Sequence, residues 1–225
     1  NERRLEELAH PLPRQQLGQM ILQLADAMLR EQLDGTLDLA ALDTLLTEQV
    51  KIFSFVHISN SLGTITPAED WCALARNRGI TTLVDGAQSV GHIPVNVKEL
   101  GCDFLAFSGH KICGPTGIGA LYGTAQALAD MPPFHGGGEM IESVHYEGST
   151  YRSAPGKFEA GTPPIAGAIG LAAACDYLAA LGMETIAARD EILTTRLVDT
   201  LNQIDGVRAI GPSGKRERSS SSRSA

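Results

Sequence analysis

The chain has 225 residues, of which 43% are hydrophobic and 20% are charged, a composition expected of a soluble globular protein with one domain or one domain and part of another. Its formal net charge of −8 argues against nucleic-acid and anionic-membrane partners, because binding to phosphates needs clustered Lys and Arg. The sequence contains no apolar stretch of membrane-spanning length and no signal-peptide pattern at its start, so a cytoplasmic location is expected.

The first predicted elements are a helical segment and a strand. Residues 1–32 are predicted to be helical and polar, and no chemistry is assigned to them. Leucines then recur at helical spacing after Asp38, which predicts a second helix with Asp38 as its N-cap. Lys51–Ser59 is rich in β-branched and aromatic residues and ends in Asn60–Gly63, which predicts a strand followed by a turn.

A helix is predicted after this turn. Thr66, Pro67 and Glu69 have the arrangement of a capping box, with Thr66 as N-cap, Pro67 at the first helical position and Glu69 bonded back to the cap. We expect the helix to end near Gly79, because glycine readily takes the backbone conformation that stops a helix.

Three more short strands are predicted. Ile80–Val84 is closed by Asp85–Gln88, Phe104–Phe107 leads to Lys111, and Ile118–Tyr122 follows. The order strand, helix, strand, connector, strand predicts an α/β fold with a largely parallel sheet.

The last part of the chain is predicted to begin with a long irregular stretch, residues 131–164, and such a stretch in a compact domain is more often functional than idle. The elements predicted after it are a helix over residues 164–181 that ends at Gly182, an amphipathic helix over residues 183–204, the first strand of a further domain at Val207–Ile210, and a disordered tail at Ser213–Ala225.

Polar side chains follow three of the predicted strands at the point where each ends. They are Asn60 after the first, Asp85 and Gln88 after the second, and Ser108, His110 and Lys111 after the third. Because the carboxyl ends of parallel strands meet at one edge of a sheet, these side chains are expected to gather there. Any one of them could be a turn former or a cap, but their coincidence favours a ligand site.

The chemistry that fits this set is that of pyridoxal phosphate. The amine of Lys111 could form a Schiff base with a carbonyl cofactor, and the carboxylate of Asp85 could keep the pyridine nitrogen protonated. The other four side chains would bond the phenolic oxygen and the phosphate; these are Gln88 with Asn60, and Ser108 with His110.

Other residues that invite a chemical interpretation are predicted to be structural. The cysteines are widely spaced, so neither a zinc site nor a disulfide scaffold is expected, and burial is the default for all of them except Cys113, which lies beside Lys111. Three histidines are expected to be structural, with His57 a satisfied core residue; the three are His57, His92 and His135. The glycine spacing in Gly114–Gly119 matches neither a P-loop nor a dinucleotide-binding motif.

Five segments together resemble one family, the class V aminotransferases of fold-type-I pyridoxal-phosphate enzymes, and within it the cysteine desulfurases. Thr116 and the Phe-Glu-Ala-Gly-Thr-Pro run resemble the SUF-type, or group II, branch. The segments are His57–Thr64, Val84–Ser89, Phe107–Lys111, Gly114–Gly119 and Phe158–Pro163.

The resemblance implies a three-layer pyridoxal-phosphate-transferase large domain, α/β with a mainly parallel sheet flanked by helices, that is incomplete. It implies residues 33–182 as this partial domain, residues 183–212 as the truncated start of a small C-terminal α+β domain, residues 1–32 as an atypical N-terminal segment and residues 213–225 as a disordered tail.

The resemblance also implies the activity and the partners. Lys111 would be the Schiff-base lysine and proton shuttle, and Thr162 would add a phosphate contact from the other subunit of a homodimer. The implied reaction converts L-cysteine to L-alanine and an enzyme persulfide that supplies iron–sulfur cluster assembly, with a sulfur-acceptor protein as a further partner. A selenocysteine lyase is a close variant.

The matching region, roughly Leu33–Pro212, is about half of a typical member, so the chain is expected to be a central fragment that is inactive alone. The family's upstream Gly-Thr-Thr turn and ring-stacking histidine have no recognisable match, and His10 lacks the right surroundings. The downstream segment with the persulfide cysteine and the substrate-binding arginine has no match either. A kynureninase or epimerase-like enzyme and a non-catalytic truncated protein are the alternatives.

Overall fold

The computed structural model describes residues 39–207 and 209–212. The predictions for residues 1–32, His10, the Asp38 cap and the tail Ser213–Ala225 lie outside the described residues. Two short 3-10 turns, Gly109–Lys111 and Gly156–Phe158, accompany the main elements. In chain order these are α1 (Leu39–Leu45), β1 (Ile52–Val56), α2 (Ala68–Asn77), β2 (Thr81–Asp85), α3 (Val97–Leu100), β3 (Phe104–Ser108), β4 (Gly119–Gly123), α4 (Ala125–Asp130), β5 (Ile141–His145), β6 (Gly148–Tyr151), α5 (Ile165–Leu181) and α6 (Met183–Leu201).

Four of the strands form one sheet in the order β1-β2-β3-β4. The strands β1, β2 and β3 are parallel, and β4 runs antiparallel to β3. This arrangement confirms the predicted α/β fold with a mainly parallel sheet. The first three strands therefore have their carboxyl ends at the same edge.

The two faces of the sheet differ in burial. Along β1 the side chains alternate, with Phe53 and Phe55 buried and their neighbours exposed. Both rings pack against Trp71 of α2, with ring centroids 5.8 and 5.0 Å away, so the amphipathic helix and the alternating strand bury each other's apolar face. The opposite face exposes Ile52 and Leu121, which are 56% and 52% accessible to solvent.

The predicted capping box is wrong. Pro67 occupies the N-cap position of α2, which has no side-chain capping bond. The hydroxyl of Thr66 instead donates to the carbonyl oxygens of Val56 and His57, at 3.0 and 3.3 Å. Thr66 is buried against the end of β1 and lies one residue before the N-cap, so its hydroxyl bonds to the strand end and not to the first amides of the helix.

The predicted helix ends are confirmed and two other predictions are wrong. Gly79 and Gly182 follow α2 and α5 with φ of +67° and +82°, the region that glycine takes without strain. The irregular stretch 131–164 contains a β-hairpin, β5 paired with β6, that its sequence did not predict. The strand predicted at Val207–Ile210 is not formed by its described residues.

The two long helices meet at a sharp bend. The axes of α5 and α6 differ by 75° across Gly182. In the described part of the chain no single helix has the length and apolar character needed to cross a membrane. The bent pair reaches that length and apolar character only when its two helices are taken together.

Candidate functional site

Asp85 lies at the centre of the edge where the parallel strands end. It is in register with Val56 of β1 on one side and Ala106 of β3 on the other. The backbone carbonyl of Asp85 accepts from the amide of His57 at 2.9 Å, and the amide of Gly86 donates to Ala106 at 2.8 Å. These bonds hold the backbone on both sides, while the carboxylate is exposed and its Oδ1 accepts from the Ala87 amide at 2.9 Å.

Lys111 follows β3 in a tight turn at the same edge. The turn is closed by the Gly109 amide, which donates to Ile118 at 2.8 Å, and by the Gly114 amide, which donates to Gly109 at 2.9 Å. The side chain of Lys111 is exposed, and within the described residues its amine makes no hydrogen bond or ion pair. The amine is therefore available to a ligand.

Glycines allow the backbone around Lys111 to pack closely. A Cβ atom at Gly119 would lie 2.4 Å from the carbonyl oxygen of Phe107, and one at Gly91 would lie 2.8 Å from the carbonyl oxygen of Lys111 itself. Distances this short exclude any larger residue unless the backbone moves. The glycines near the lysine thus allow close packing of the chain.

The four remaining predicted residues of this edge lie in the segments that follow the strands. Asn60 is exposed in the turn after β1, and its Oδ1 accepts from the Ser61 hydroxyl at 3.3 Å. Gln88 is half-buried in the turn after Asp85, Ser108 is half-buried as the last residue of β3, and His110 is exposed beside Lys111. The structure therefore brings these residues to one edge of the sheet, and their individual roles stay predictions.

Thr162 is placed on a separate segment. It is exposed just before α5, and the amide of the preceding Gly161 donates to the carbonyl of Gly138 at 2.9 Å. In the part of the chain that the structure describes, no hydrogen bond joins Thr162 to Lys111. The segment of Thr162 nevertheless leads into a helix that contacts the residues after Lys111. This helix, α5, packs so closely there that a Cβ at Gly170 would lie 2.8 Å from Pro115.

The three histidines predicted to be structural have three different environments. His57 is buried, as expected, but its Nδ1 has no hydrogen-bond partner among the described residues, so the expectation of a satisfied histidine is wrong there. Burial lowers the pKa of His57, because a charged ring would lose its hydration. His135 lies edge-on to Phe134, whereas Nδ1 of His92 lies 2.7 Å from Oδ2 of Asp190. That last contact joins residues 98 positions apart, so local sequence patterns carried no signal for it.

The cysteines divide into a buried pair and an exposed pair. Burial raises the pKa of Cys72 to about 11 and also raises the pKa of Cys102, so both are protonated thiols in the core. Cys113 is exposed, with φ of +64°, and Cys175 is exposed on α5, which makes the default of burial wrong for Cys175. Across residues 39–207 and 209–212, no three His, Cys, Asp or Glu side chains lie close enough together to hold a metal ion.

The donors at the carboxyl edge of the sheet fit pyridoxal phosphate. An unpaired amine is available at Lys111, and a carboxylate fixed by its strand is available at Asp85. Gln88 and Asn60 carry amides, and Ser108 and His110 carry a hydroxyl and an imidazole; these are groups that could bond the phenolic oxygen and the phosphate of the cofactor.

Comparison with known proteins places this geometry in a family. The Aminotransferase class-V family model matches residues 5–223. A probable cysteine desulfurase of Xylella fastidiosa (strain Temecula1) is 47% identical over 211 residues, which are 92% of this chain and 50% of that protein. The chain spans about half the length of the curated relatives it matches.

Solved structures with a similar fold point to the same family. The cysteine desulfurase CsdA from Escherichia coli superposes with a TM-score of 0.74 and 39% identity over 77% of this chain and 43% of its own. A structure of SspA in complex with cysteine has a TM-score of 0.52 and 28% identity, over 62% of this chain and 36% of that one. The chain belongs to the class V aminotransferase family, whose cofactor is pyridoxal phosphate.

Proposed function

We propose that this chain carries the cofactor-binding centre of a pyridoxal-phosphate-dependent cysteine desulfurase. The observation that carries the proposal is the placement of Asp85 and Lys111 at one edge of the sheet, the first as the last residue of β2 and the second just beyond β3. This cofactor requires a carboxylate at a fixed position and, near it, a lysine amine that has no other partner.

Each residue has a defined task in the proposed reaction. When bound, the cofactor supplies an electron sink for the substrate. The carboxylate of Asp85 would hold a proton on the ring nitrogen, and Nζ of Lys111 would bind the cofactor and would move a proton to and from the substrate. Gln88 and Asn60 orient the ring through its phenolic oxygen, and the phosphate is bound by Ser108 and His110.

The proposed substrate is L-cysteine, which yields L-alanine and a persulfide on a cysteine of the enzyme. The supporting observations are the names of the relatives and the cysteine bound to SspA. Cys72 and Cys102 are assigned no part in sulfur transfer, because burial keeps both as thiols and only a thiolate is a good nucleophile. Thr116 and the Phe158–Pro163 run support the SUF-type branch.

A homodimer is part of the proposal, with a sulfur-acceptor protein as the partner that receives the sulfur for iron–sulfur clusters. In the described residues the hydroxyl of Thr162 is exposed and makes no hydrogen bond. It is thus free to contact a phosphate bound by the other subunit, and the nearby Ile165 and Ile169 of α5 expose 60% and 67% of their surface. Apolar surface of this kind is typical of protein contacts.

The experiment that tests cofactor binding uses purified chain with added pyridoxal phosphate. We expect a visible absorption band at ~420 nm, since a lysine amine joined to this cofactor gives such a band, and we expect its loss in Lys111→Ala. Lys98→Ala removes an exposed lysine of α3 and is the matched control, which should keep the band. Borohydride reduction followed by mass spectrometry should locate the added mass on Lys111.

Two results would count against the proposal. A wild-type chain with no band and no borohydride-trapped cofactor would contradict cofactor binding. If the band is still present in Lys111→Ala, the cofactor is attached to another lysine. The activity itself is tested by incubating the cofactor-loaded chain with L-cysteine and a thiol reductant and measuring L-alanine, and loaded chain that forms none would support the inactive alternative.

A further inference from the structure

One side-chain contact joins the distant helix α6 to the turn that follows β2. Nδ1 of His92 and Oδ2 of Asp190 are 2.7 Å apart, and their side chains are 48% and 29% exposed. At this distance the pair forms a hydrogen bond in which Nδ1–H donates to the carboxylate. It connects α6 to the segment that begins at Asp85.

The segment between Asp85 and His92 is a continuous series of backbone turns. The amide of Val90 donates to Gly86 at 3.0 Å, and the amide of His92 donates to Ser89 at 3.0 Å. Ser89 is completely buried, which fixes the middle of the segment against the core. Because each turn is bonded to the previous one, a displacement of His92 also displaces the residues on either side of it.

Gly91, next to His92, is in contact with the lysine turn. A Cβ at Gly91 would lie 2.8 Å from the carbonyl oxygen of Lys111 and 3.2 Å from Cγ2 of Ile112. Ile112 is buried and leaves little room behind the turn. The backbone of residue 91 therefore supports the backbone that carries the reactive amine.

We propose that His92 and Asp190 are a positioning pair for the cofactor site. Through this bond α6 fixes the turn after β2, and that turn, which contains Gln88, supports the backbone of Lys111. Neither residue touches the cofactor in this proposal. The inference rests on the proposed function, since it concerns the affinity of the same site.

The test compares His92→Leu, Asp190→Asn and the double variant with wild-type chain. The dissociation constant for pyridoxal phosphate is measured from the visible band, and borohydride trapping gives the fraction of Lys111 modified. A partly exposed pair of this kind supports an effect of about two- to fivefold, so each single variant should bind the cofactor about that much more weakly. The double variant should be no weaker than the single ones, because the bond is already lost in each.

Two controls separate positioning from general destabilisation. Asp199→Asn changes an exposed aspartate on the same helix and should bind as wild type does. His92→Gln keeps a hydrogen-bond donor for Asp190 and should restore most of the affinity that His92→Leu loses. The fluorescence of Trp71, the only tryptophan in the chain, reports urea unfolding of every variant.

The outcomes are distinct. Unchanged affinity in His92→Leu, additive losses in the double variant, or equal losses in Asp199→Asn would each overturn the positioning role while wild-type chain still binds the cofactor. A loss of unfolding free energy without any change in affinity would also overturn it. Wild-type chain that gives no band would overturn the proposed function, and the positioning role with it.

Discussion

The backbone of Gly91 lies directly against the carbonyl group of Lys111, at a distance that leaves no space for a side chain between them. This contact relates the segment after β2 to the segment after β3 at the edge where the candidate cofactor residues gather. The position of the lysine thus depends on a residue that has no reactive group of its own.

Substitution of this glycine should therefore disturb the lysine turn. Gly91→Ala places a methyl group 2.8 Å from the Lys111 carbonyl, and overpacking of this kind destabilises a protein by about 1–3 kcal/mol. We expect a lower urea midpoint by Trp71 fluorescence and weaker pyridoxal phosphate binding. Gly148→Ala is the control, because a Cβ there meets no atom within 4 Å. Equal behaviour of the two variants would show that the contact is not tight.

The start of β3 depends on a side chain that bonds to β2. Oδ2 of Asp103 accepts from the amide and the hydroxyl of Thr82, at 2.8 and 3.1 Å, and the Asp103 amide donates back to that hydroxyl at 2.9 Å. Thr82→Val removes the hydroxyl that bonds twice to the half-buried Asp103, while the Thr82 amide still donates to Oδ2, and should cost about 1–3 kcal/mol of unfolding free energy.

Thr81→Val is the matched control for this prediction, because its hydroxyl makes no hydrogen bond in the described part of the chain and its side chain lies on the other face of β2. Urea unfolding of both variants measures the difference. A loss in Thr81→Val as large as that in Thr82→Val would mean that the Asp103 bonds contribute nothing specific.

His57 should make the stability of the chain depend on pH. Burial lowers its pKa in the folded state below the ordinary value of 6.5. As the pH falls through 6.5, the unfolded chain takes up a proton that the folded chain does not, so the free energy of unfolding decreases until the lowered pKa is passed. Above the ordinary value the neutral ring imposes no such loss.

The measurement is urea unfolding at several pH values on either side of the ordinary histidine pKa. His57→Leu should lose less stability on acidification than wild-type chain does, whereas His135→Leu, which alters an exposed histidine, should keep the wild-type dependence. If the free energy of unfolding of His57→Leu depends on pH as that of the wild-type chain does, other groups cause the pH dependence.

A contact across a dimer can be tested by mixing variants. Lys111→Ala alone should not bind pyridoxal phosphate, and Thr162→Ala alone should bind it weakly. If Thr162 completes the site of the other subunit, exchange between the two variants creates a site with both residues intact, and tight binding reappears in a fraction of the chains. Light scattering should show a dimer, and a mixture no better than its components would contradict the shared site.

Local signals in the sequence predicted most of the sheet. Short apolar runs, the first of them rich in β-branched and aromatic residues, indicated the four strands, and Gly79 and Gly182 end their helices as expected. The polar residues at the ends of these strands were predicted for the same reason, since Asp85 and Lys111 directly follow predicted strands in the sequence. The β5–β6 hairpin was missed because Val144 of β5 is largely exposed and every residue of β6 is exposed, so the hairpin lacks the alternation that a buried face produces.

The sequence by itself determined which chemical groups end neighbouring strands, and hence the cofactor that those groups fit. Only the tertiary structure decided that Thr66 bonds to the end of β1 instead of capping α2, that Gly91 supports Lys111, and that His92 bonds to Asp190. Strands and turns are specified by neighbouring residues, whereas a hydroxyl, a glycine or an imidazole finds its partner only when distant segments pack together.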